Sequence, residues 1–364
     1  MKIVLVSILL LLFLPLDGIA QDYLGTGFYF GKVVKHKEEL SFDIPPRSLQ
    51  FQLAHKQKVA GNEYWHHFYG QPNINHLYQF VNFGDDEVLG QGHALMKGLD
   101  FPILQSRKFS WEVSVYSGIG YISQPFDRVD NPLNNAIGSH LNNATRIGSS
   151  VNYPLHDHLD LNLNVHLLHF SNGLSQSPNS GINTWGIGLE CFYRLNKKKE
   201  VDELPSKPIV SNPWVLDINW QFSRSELPVP GGPKYPNHVL AIGGGWQYHP
   251  LLTIFMGINY EYRSGQYEFF IRDFLSKEEA RDRATRTALY IAHEFTFKHL
   301  VVRPQIGYYL PYPMEGSEDY YIKMGTLYFF PKIYNIQPYV GVVLKSHSAV
   351  AEYVALSTGL RYRL

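Results

Sequence analysis

One sequence feature constrains the fold of this chain more than any other. It is the alternation of apolar and polar residues from Leu159 to Tyr193. Successive side chains of a strand point to opposite faces of a sheet, so a period of two predicts two strands joined by a short polar loop. The apolar face of the first strand carries Leu159, Leu161, Leu163, Val165, Leu167, His169 and Ser171. The matching face of the second carries Asn183, Trp185, Ile187, Leu189, Cys191 and Tyr193. The polar His169 and Ser171 are therefore predicted on the apolar side.

Similar alternation recurs from Phe109 onward and ends in a strand that runs to Leu364. The predicted strands are roughly 10 to 15 residues long, whereas strands of soluble sandwiches average about 5 to 6. Short turns are predicted at 154–158, 249–251 and 298–299, and long loops at 124–143, 172–181 and 264–284. Short turns at one end and long loops at the other are typical of transmembrane barrels. The sequence therefore predicts an all-β, antiparallel transmembrane β-barrel, with a helical turn in the last of these loops.

Charged residues and three prolines interrupt the alternation between Asn196 and Pro213. This break divides the chain into residues 21–196, a linker or periplasmic turn at 197–212, and residues 213–364. About eight strands are predicted on each side. Because one closed sheet leaves no edges, a single barrel of about 14 to 16 strands is favoured. Two eight-stranded halves are the alternative.

The first twenty residues contain one lysine, a long apolar run and small residues up to Ala20, which predicts a cleaved secretory signal peptide. Its apolar run is short for a membrane-spanning helix, the alternative interpretation. Export, abundant aromatic residues and a single cysteine, Cys191, indicate the bacterial outer membrane. The formal net charge of zero gives no reason to expect a nucleic-acid partner.

His169, Ser171 and Asn183 share one face near the end of the hairpin that carries the long loop. A histidine that takes the serine proton, oriented by a third polar group, is the arrangement that nucleophilic ester hydrolysis requires. Such chemistry needs no metal and no cofactor. The alternative is that these polar residues only mark the level of the membrane interface.

The stretch HFSNGLSQSPNSGIN, residues 169–183, resembles the lipid A 3-O-deacylase family of outer-membrane barrels. The resemblance extends over 169–189, plausibly over 21–196, and not beyond 197. It implies that His169 is the general base and Ser171 the nucleophile. The oxyanion-binding positions that it implies are Asn179, Asn172 and Gly173.

The chain departs from the family pattern at Asn183, where the family has a glutamate. An amide accepts the imidazole N–H but cannot stabilise the imidazolium by charge. Glu190 lies on the opposite face of its strand and cannot replace that glutamate. A slower enzyme, an acid elsewhere in the chain or an inactive relative all remain open.

The implied substrate is lipid A, or lipopolysaccharide, in the outer leaflet. Its acyl chain would lie against a wall formed by Leu163, Val165, Leu167, Trp185 and Ile187. Two other functions remain open: a non-catalytic barrel (a pore, a lipid transporter or a scaffold) and an outer-membrane phospholipase. Residues predicted to face the lumen could form a salt-bridge plug or line a channel; they are Glu112, Asn162, Asn164, His166, Glu190, Asp217, Glu261 and Arg303. A homodimer is also possible.

Overall fold

A computed structural model describes residues 19–35, 40–196, 205–227, 230–273, 275–310, 318–348 and 350–364. Within these ranges it contains sixteen strands and three short helices. No helix in this part of the chain has the length and apolarity needed to cross a bilayer. The predicted signal peptide lies outside the described residues up to position 18, and the first strand begins at Ile19.

The first eight strands form one closed antiparallel barrel, the N-terminal barrel. They are β1 (Ile19–Val34), β2 (Ser48–Val59), β3 (Asn73–Asn82), β4 (Gln91–Gln105), β5 (Ser110–Ile122), β6 (Leu141–His156), β7 (Leu159–Ser171) and β8 (Ile182–Arg194). A short helix, α1 (Tyr64–Phe68), lies between β2 and β3. The sheet closes where β1 pairs with β8, with Phe28 opposite Leu189.

The strands of the N-terminal barrel are staggered around its wall. A row of directly paired residues steps from Leu24 through His55, His76, Lys97, Ser117, Thr145, His169 and Asn183 to Val34. The row thus returns to β1 ten residues further along the strand, from Leu24 to Val34. Such a stagger accompanies a strand tilt of about 35 to 45°. The row therefore climbs toward the end of the barrel at which β1 finishes.

The last eight strands close in the same way into a second barrel, the C-terminal barrel. They are β9 (Trp214–Glu226), β10 (Lys234–His249), β11 (Leu252–Arg263), β12 (Thr285–Phe297), β13 (Leu300–Tyr309), β14 (Tyr320–Phe329), β15 (Ile336–His347) and β16 (Val350–Arg363). Where the sequence predicts a helical turn, the structure has two helices, α2 (Ser264–Arg272) and α3 (Lys277–Ala284). Hydrogen bonds from Ser276 cap α3 and lower the pKa of Glu279.

The all-β prediction is confirmed, but the prediction of one large barrel is wrong, and the alternative of two eight-stranded halves is correct. The reason is that β8 pairs with β1, so the first sheet has no free edge on which β9 could pair. Eight strands also enclose an interior that side chains can fill.

The interior of the N-terminal barrel is filled by polar side chains around Arg146, which is 1% exposed. Its guanidinium donates to Gln79 and Asn164, each at 3.0 Å, and to Gln52, and it pairs with Glu190 at 3.5 Å. A buried guanidinium needs such partners to offset its desolvation. Glu190 thus faces the lumen, as the sequence predicts.

One charge cluster in the interior of the C-terminal barrel is formed by Arg303, Arg361, Asp217 and Glu294. Arg361 lies 2.7 Å from Glu294 and 3.1 Å from Asp217, and Arg303 lies 2.6 Å and 3.2 Å from the same two carboxylates. Tyr339 donates to Asp217 at 2.6 Å. This arrangement is that of a salt-bridge plug rather than a channel lining.

We predict that Arg361→Met lowers the free energy of unfolding by about 3 kcal/mol, because it leaves Asp217 and Glu294 with a single arginine in a buried setting. Urea unfolding of the detergent-solubilised protein, followed by tryptophan fluorescence, measures this change. The exposed Arg272 of α2 supplies the control variant Arg272→Met. Equal stability of the two variants would contradict the role of the charge cluster.

Candidate functional site

The candidate site lies on the outer wall of the N-terminal barrel, at the end where β7 and β8 are joined by residues 172–181. Strand register places His169 directly opposite Asn183 and Leu167 opposite Trp185. Outward-pointing side chains below this level are apolar and exposed. They include the predicted acyl wall of Leu163, Val165, Leu167, Trp185 and Ile187. Polar His169 and Asn183 thus end an apolar stripe, and both are half-buried.

His169 is oriented by Asn183. The distance between His169 Nδ1 and Asn183 Oδ1 is 2.7 Å, the length of a strong hydrogen bond. Because the amide oxygen can only accept, Nδ1 carries the hydrogen and Nε2 keeps its lone pair. The imidazole is thereby held in the tautomer that a general base needs, but by a neutral group.

Ser171, which is 8% exposed, contacts Asn179 from the loop. Asn179 Nδ2 donates to Ser171 Oγ at 3.1 Å, and Asn179 Oδ1 accepts the backbone N–H of Asn172 at 2.9 Å. The side chain of Asn172 turns away and donates to Ser139 Oγ at 3.0 Å. Gly173 follows with a left-handed backbone, φ 61°. Of the three predicted oxyanion residues, Asn179 approaches Ser171 through its side chain, and Asn172 faces Asn179 through its backbone N–H.

The loop that carries Asn179 is held by a second loop, residues 123–140. Ile137 forms a β-bridge with Asn179, and Gly181 N–H donates to Ala136 O at 2.8 Å. Asn134, fully buried, shapes this second loop through four hydrogen bonds to backbone groups. The position of Asn179 therefore depends on a loop that follows β5, far from it in the sequence.

An aspartate at the start of the second loop is stabilised as a carboxylate. The backbone N–H groups of Asp130 and Val129 donate to Asp127, and these bonds lower its pKa. The turn that they form therefore remains intact at neutral pH.

Gly181 is required next to His169. Its φ is +81°, a conformation that favours glycine, and a Cβ there would lie 2.6 Å from His169 Cε1. Any side chain at this position would displace the imidazole.

Three further polar residues of the outer wall, which the sequence analysis missed, adjoin the site. Asn143 and Thr145 of β6 lie directly opposite Ser171 and His169, and Ser117 of β5 lies opposite Thr145. Thr145 Oγ1 donates to Asn143 Oδ1 at 2.8 Å, and Asn143 Nδ2 donates to Ser117 Oγ at 3.2 Å. On the outward face of β6, Asn143 and Thr145 lie between the exposed apolar residues Leu141 and Ile147, so the local pattern of the sequence does not single them out.

Solved structures of outer-membrane barrels resemble parts of this chain. Neisserial surface protein A is 7% identical, with a TM-score of 0.36 over 49% of this chain and 100% of its own. The outer membrane enzyme PagL is 14% identical, with a TM-score of 0.28 over 46% and 97%. The KdgM porin is 8% identical, with a TM-score of 0.19 over 93% and 99%. No curated protein sequence matches the chain.

Two family models match successive parts of the chain. Residues 39–191 match the family described as lipid A 3-O-deacylase (PagL), and this range contains the whole candidate site. Residues 214–364, to which the sequence resemblance did not extend, match the family described as acyloxyacyl hydrolase, C-terminal domain. The two ranges leave out residues 1–38, which include β1, and residues 192–213, which include the end of β8 and the linker. The first half of the chain is therefore similar to the lipid A 3-O-deacylase family, and the second half is similar to the acyloxyacyl hydrolase C-terminal domain.

Proposed function

We propose that this chain is an outer-membrane serine esterase that removes an ester-linked acyl chain from lipid A. The observation that carries the proposal is the 2.7 Å hydrogen bond between Asn183 and His169. His169 lies two residues before Ser171, on the same lipid-facing wall. We further propose that the chain is exported by a signal peptide ending at Ala20.

In the first step, His169 Nε2 takes the proton of Ser171 Oγ while that oxygen bonds to the ester carbonyl carbon. Asn179 Nδ2, which now donates to Ser171 Oγ at 3.1 Å, would turn to the developing oxyanion, and the backbone N–H of Asn172 would do so once Asn179 Oδ1 releases it. Each such donor contributes about 10²- to 10³-fold to a rate. When the tetrahedral intermediate collapses, the bond between the carbonyl carbon and the sugar oxygen breaks. The sugar oxygen then receives the proton from His169.

In the second step, water replaces the sugar. His169 takes a proton from this water as its oxygen bonds to the acyl carbon, and then returns the proton to Ser171 Oγ as that bond breaks. The products are a fatty acid and a lipid A molecule with one free hydroxyl group.

The outer wall explains why a lipid would be the substrate. Below the site, Leu163, Leu167 and Ile187 are each between 45% and 59% exposed and face away from the barrel. In the outer leaflet these side chains would contact acyl chains directly. An ester near the lipid headgroup would then lie at the level of Ser171.

The native chain and its Ser171→Ala variant should each be expressed in a bacterium. The mass of the lipid A from each strain is then measured by mass spectrometry. We expect loss of one acyl unit only when Ser171 is present. Unchanged lipid A with new lysophospholipid would instead identify a phospholipase. If neither product forms, the esterase proposal fails.

Asn183→Glu should raise the rate on the order of 10-fold or more, because a carboxylate stabilises the imidazolium that forms during proton transfer. The measurement is the initial rate of ester hydrolysis by the purified protein. Asn183→Gln, which lengthens the side chain without adding charge, is the matched control. An unchanged rate in Asn183→Glu would show that the missing charge does not limit catalysis.

Gly181→Ala should lower the rate at least about 10-fold, since its Cβ would displace the His169 ring by contact at 2.6 Å. Gly231→Ala is the control, because Gly231 has a similar φ of 75° but lies in the C-terminal barrel. The gel mobility of unheated samples reports whether each variant has folded. Full activity in folded Gly181→Ala would refute the importance of this contact.

A further inference from the structure

We propose that the C-terminal barrel binds a fatty acid at the end that carries α2. The carboxylate would contact Arg263 and Arg286, and the hydrocarbon chain would lie against Phe269 and Phe270. None of the residues that we assign to ester hydrolysis takes part in this binding. A fatty acid is also what the proposed reaction releases, but the binding does not require that reaction.

A cavity of about 270 Å³ lies between α2 and the ends of β9, β10 and β11. Leu227, Phe269 and Phe270 give it an apolar wall, and Arg263 and Gln266 place polar groups beside that wall. Phe269 is 56% exposed, although phenylalanine side chains are usually buried. Ligand sites are typically mostly apolar, with a few polar groups that fix the orientation of the ligand. This lining therefore suits a ligand with a hydrocarbon part and one polar head group.

Gln266 of α2 brings two guanidinium groups together. Its side-chain oxygen, with the amide oriented by these hydrogen bonds, accepts from Arg263 Nη1 at 3.1 Å and from Arg286 Nη2 at 3.0 Å. Arginine binds a carboxylate through two parallel hydrogen bonds between opposite charges, whereas an amide offers a single neutral oxygen. A carboxylate that displaced the Gln266 side chain would therefore be held more strongly than the amide.

Arg263 also has hydrogen-bonding capacity that its neighbours do not use. Its Nη1 pairs with Glu352 as well as with Gln266, while its buried Nε lies 4.0 Å from Glu261 Oε1. Within the described residues, this Nε makes no hydrogen bond. A buried donor without a partner is unfavourable, so an oxygen of a bound carboxylate would relieve this cost.

Glu226 borders the same cavity, but its backbone lies far from that of Arg263. Asn237 of β10 pairs with Ser223 on one side and with Arg263 on the other. Glu226 follows Ser223 further along β9, so strand spacing and rise put its backbone roughly 14 Å from that of Arg263. Charges separated by more than about 10 Å are largely screened at 0.1 M salt. Repulsion from Glu226 therefore does not prevent a carboxylate from binding at Arg263.

The first turn of α2 is fixed to β10. Ser264 Oγ donates to Pro236 O at 2.6 Å. Gly265 packs so closely that a Cβ there would lie 3.2 Å from Tyr235 Cβ. These contacts hold α2 in place beside the cavity. A ligand would therefore meet a preformed wall and would need to move only the Gln266 side chain.

The test is a calorimetric titration of the purified full chain in a nonionic detergent, with sodium octanoate as the probe. Octanol has the same chain without the charge, and acetate has the same charge without the chain. We expect octanoate to bind about 10-fold more tightly than either, because octanol loses the charged hydrogen bonds and acetate loses the apolar contact. Heats measured with detergent alone are subtracted. Octanol or acetate binding as tightly as octanoate, or no saturable binding of octanoate, would overturn the site.

Gln266→Glu supplies the carboxylate from the chain itself. We expect this variant to bind octanoate at least about 10-fold more weakly than the native chain, because its own charge fills the space between Arg263 and Arg286. Gln266→Ala removes the competing oxygen and should bind octanoate on the order of 3-fold more tightly. The gel mobility of unheated samples shows that each variant has folded.

The matched control is Gln337→Glu, which adds the same charge on β15 at the opposite end of the barrel. Its affinity for octanoate should equal that of the native chain. An affinity that is unchanged in Gln266→Glu, or that falls in Gln266→Ala, would show that Gln266 does not occupy the position of the carboxylate, and the site would be rejected.

Discussion

Every backbone N–H and C=O group that faces lipid must be hydrogen-bonded within the protein, because hydrocarbon offers no partner. This chain meets that constraint twice, by pairing β1 with β8 and β9 with β16. The first closure also fixes the stagger of the wall, since the row from Leu24 returns at Val34. The height of each outward residue follows from this stagger, including the order of Ser117, Thr145, His169 and Asn183.

The site is polar, is built from neutral side chains and lies on the outside of a barrel. Its geometry depends on short hydrogen bonds between side chains, such as that from His169 to Asn183, rather than on a buried carboxylate. In each barrel, buried carboxylates that pair with arginine, such as Glu190 beside Arg146 and Asp217 beside Arg361, point inward and stabilise the interior. Charge thus supports the scaffold, while neutral groups orient the residues of the site.

The sequence alone was sufficient to predict the strands and the faces of the hairpin, because alternation is a local property. It could not decide between one barrel and two, since that depends on whether β8 pairs with β1 or with β9, a long-range choice. The same limit hid Asn143 and Thr145, because their position beside Ser171 and His169 depends on register. The second loop, which holds Asn179 through Ile137, is equally invisible to a local pattern.

Separate closure of the two sheets has an evolutionary consequence. Neither half needs a strand from the other to satisfy its backbone, so a gene encoding one barrel could acquire the second by a single fusion at the linker. Selection could then act on the two walls independently.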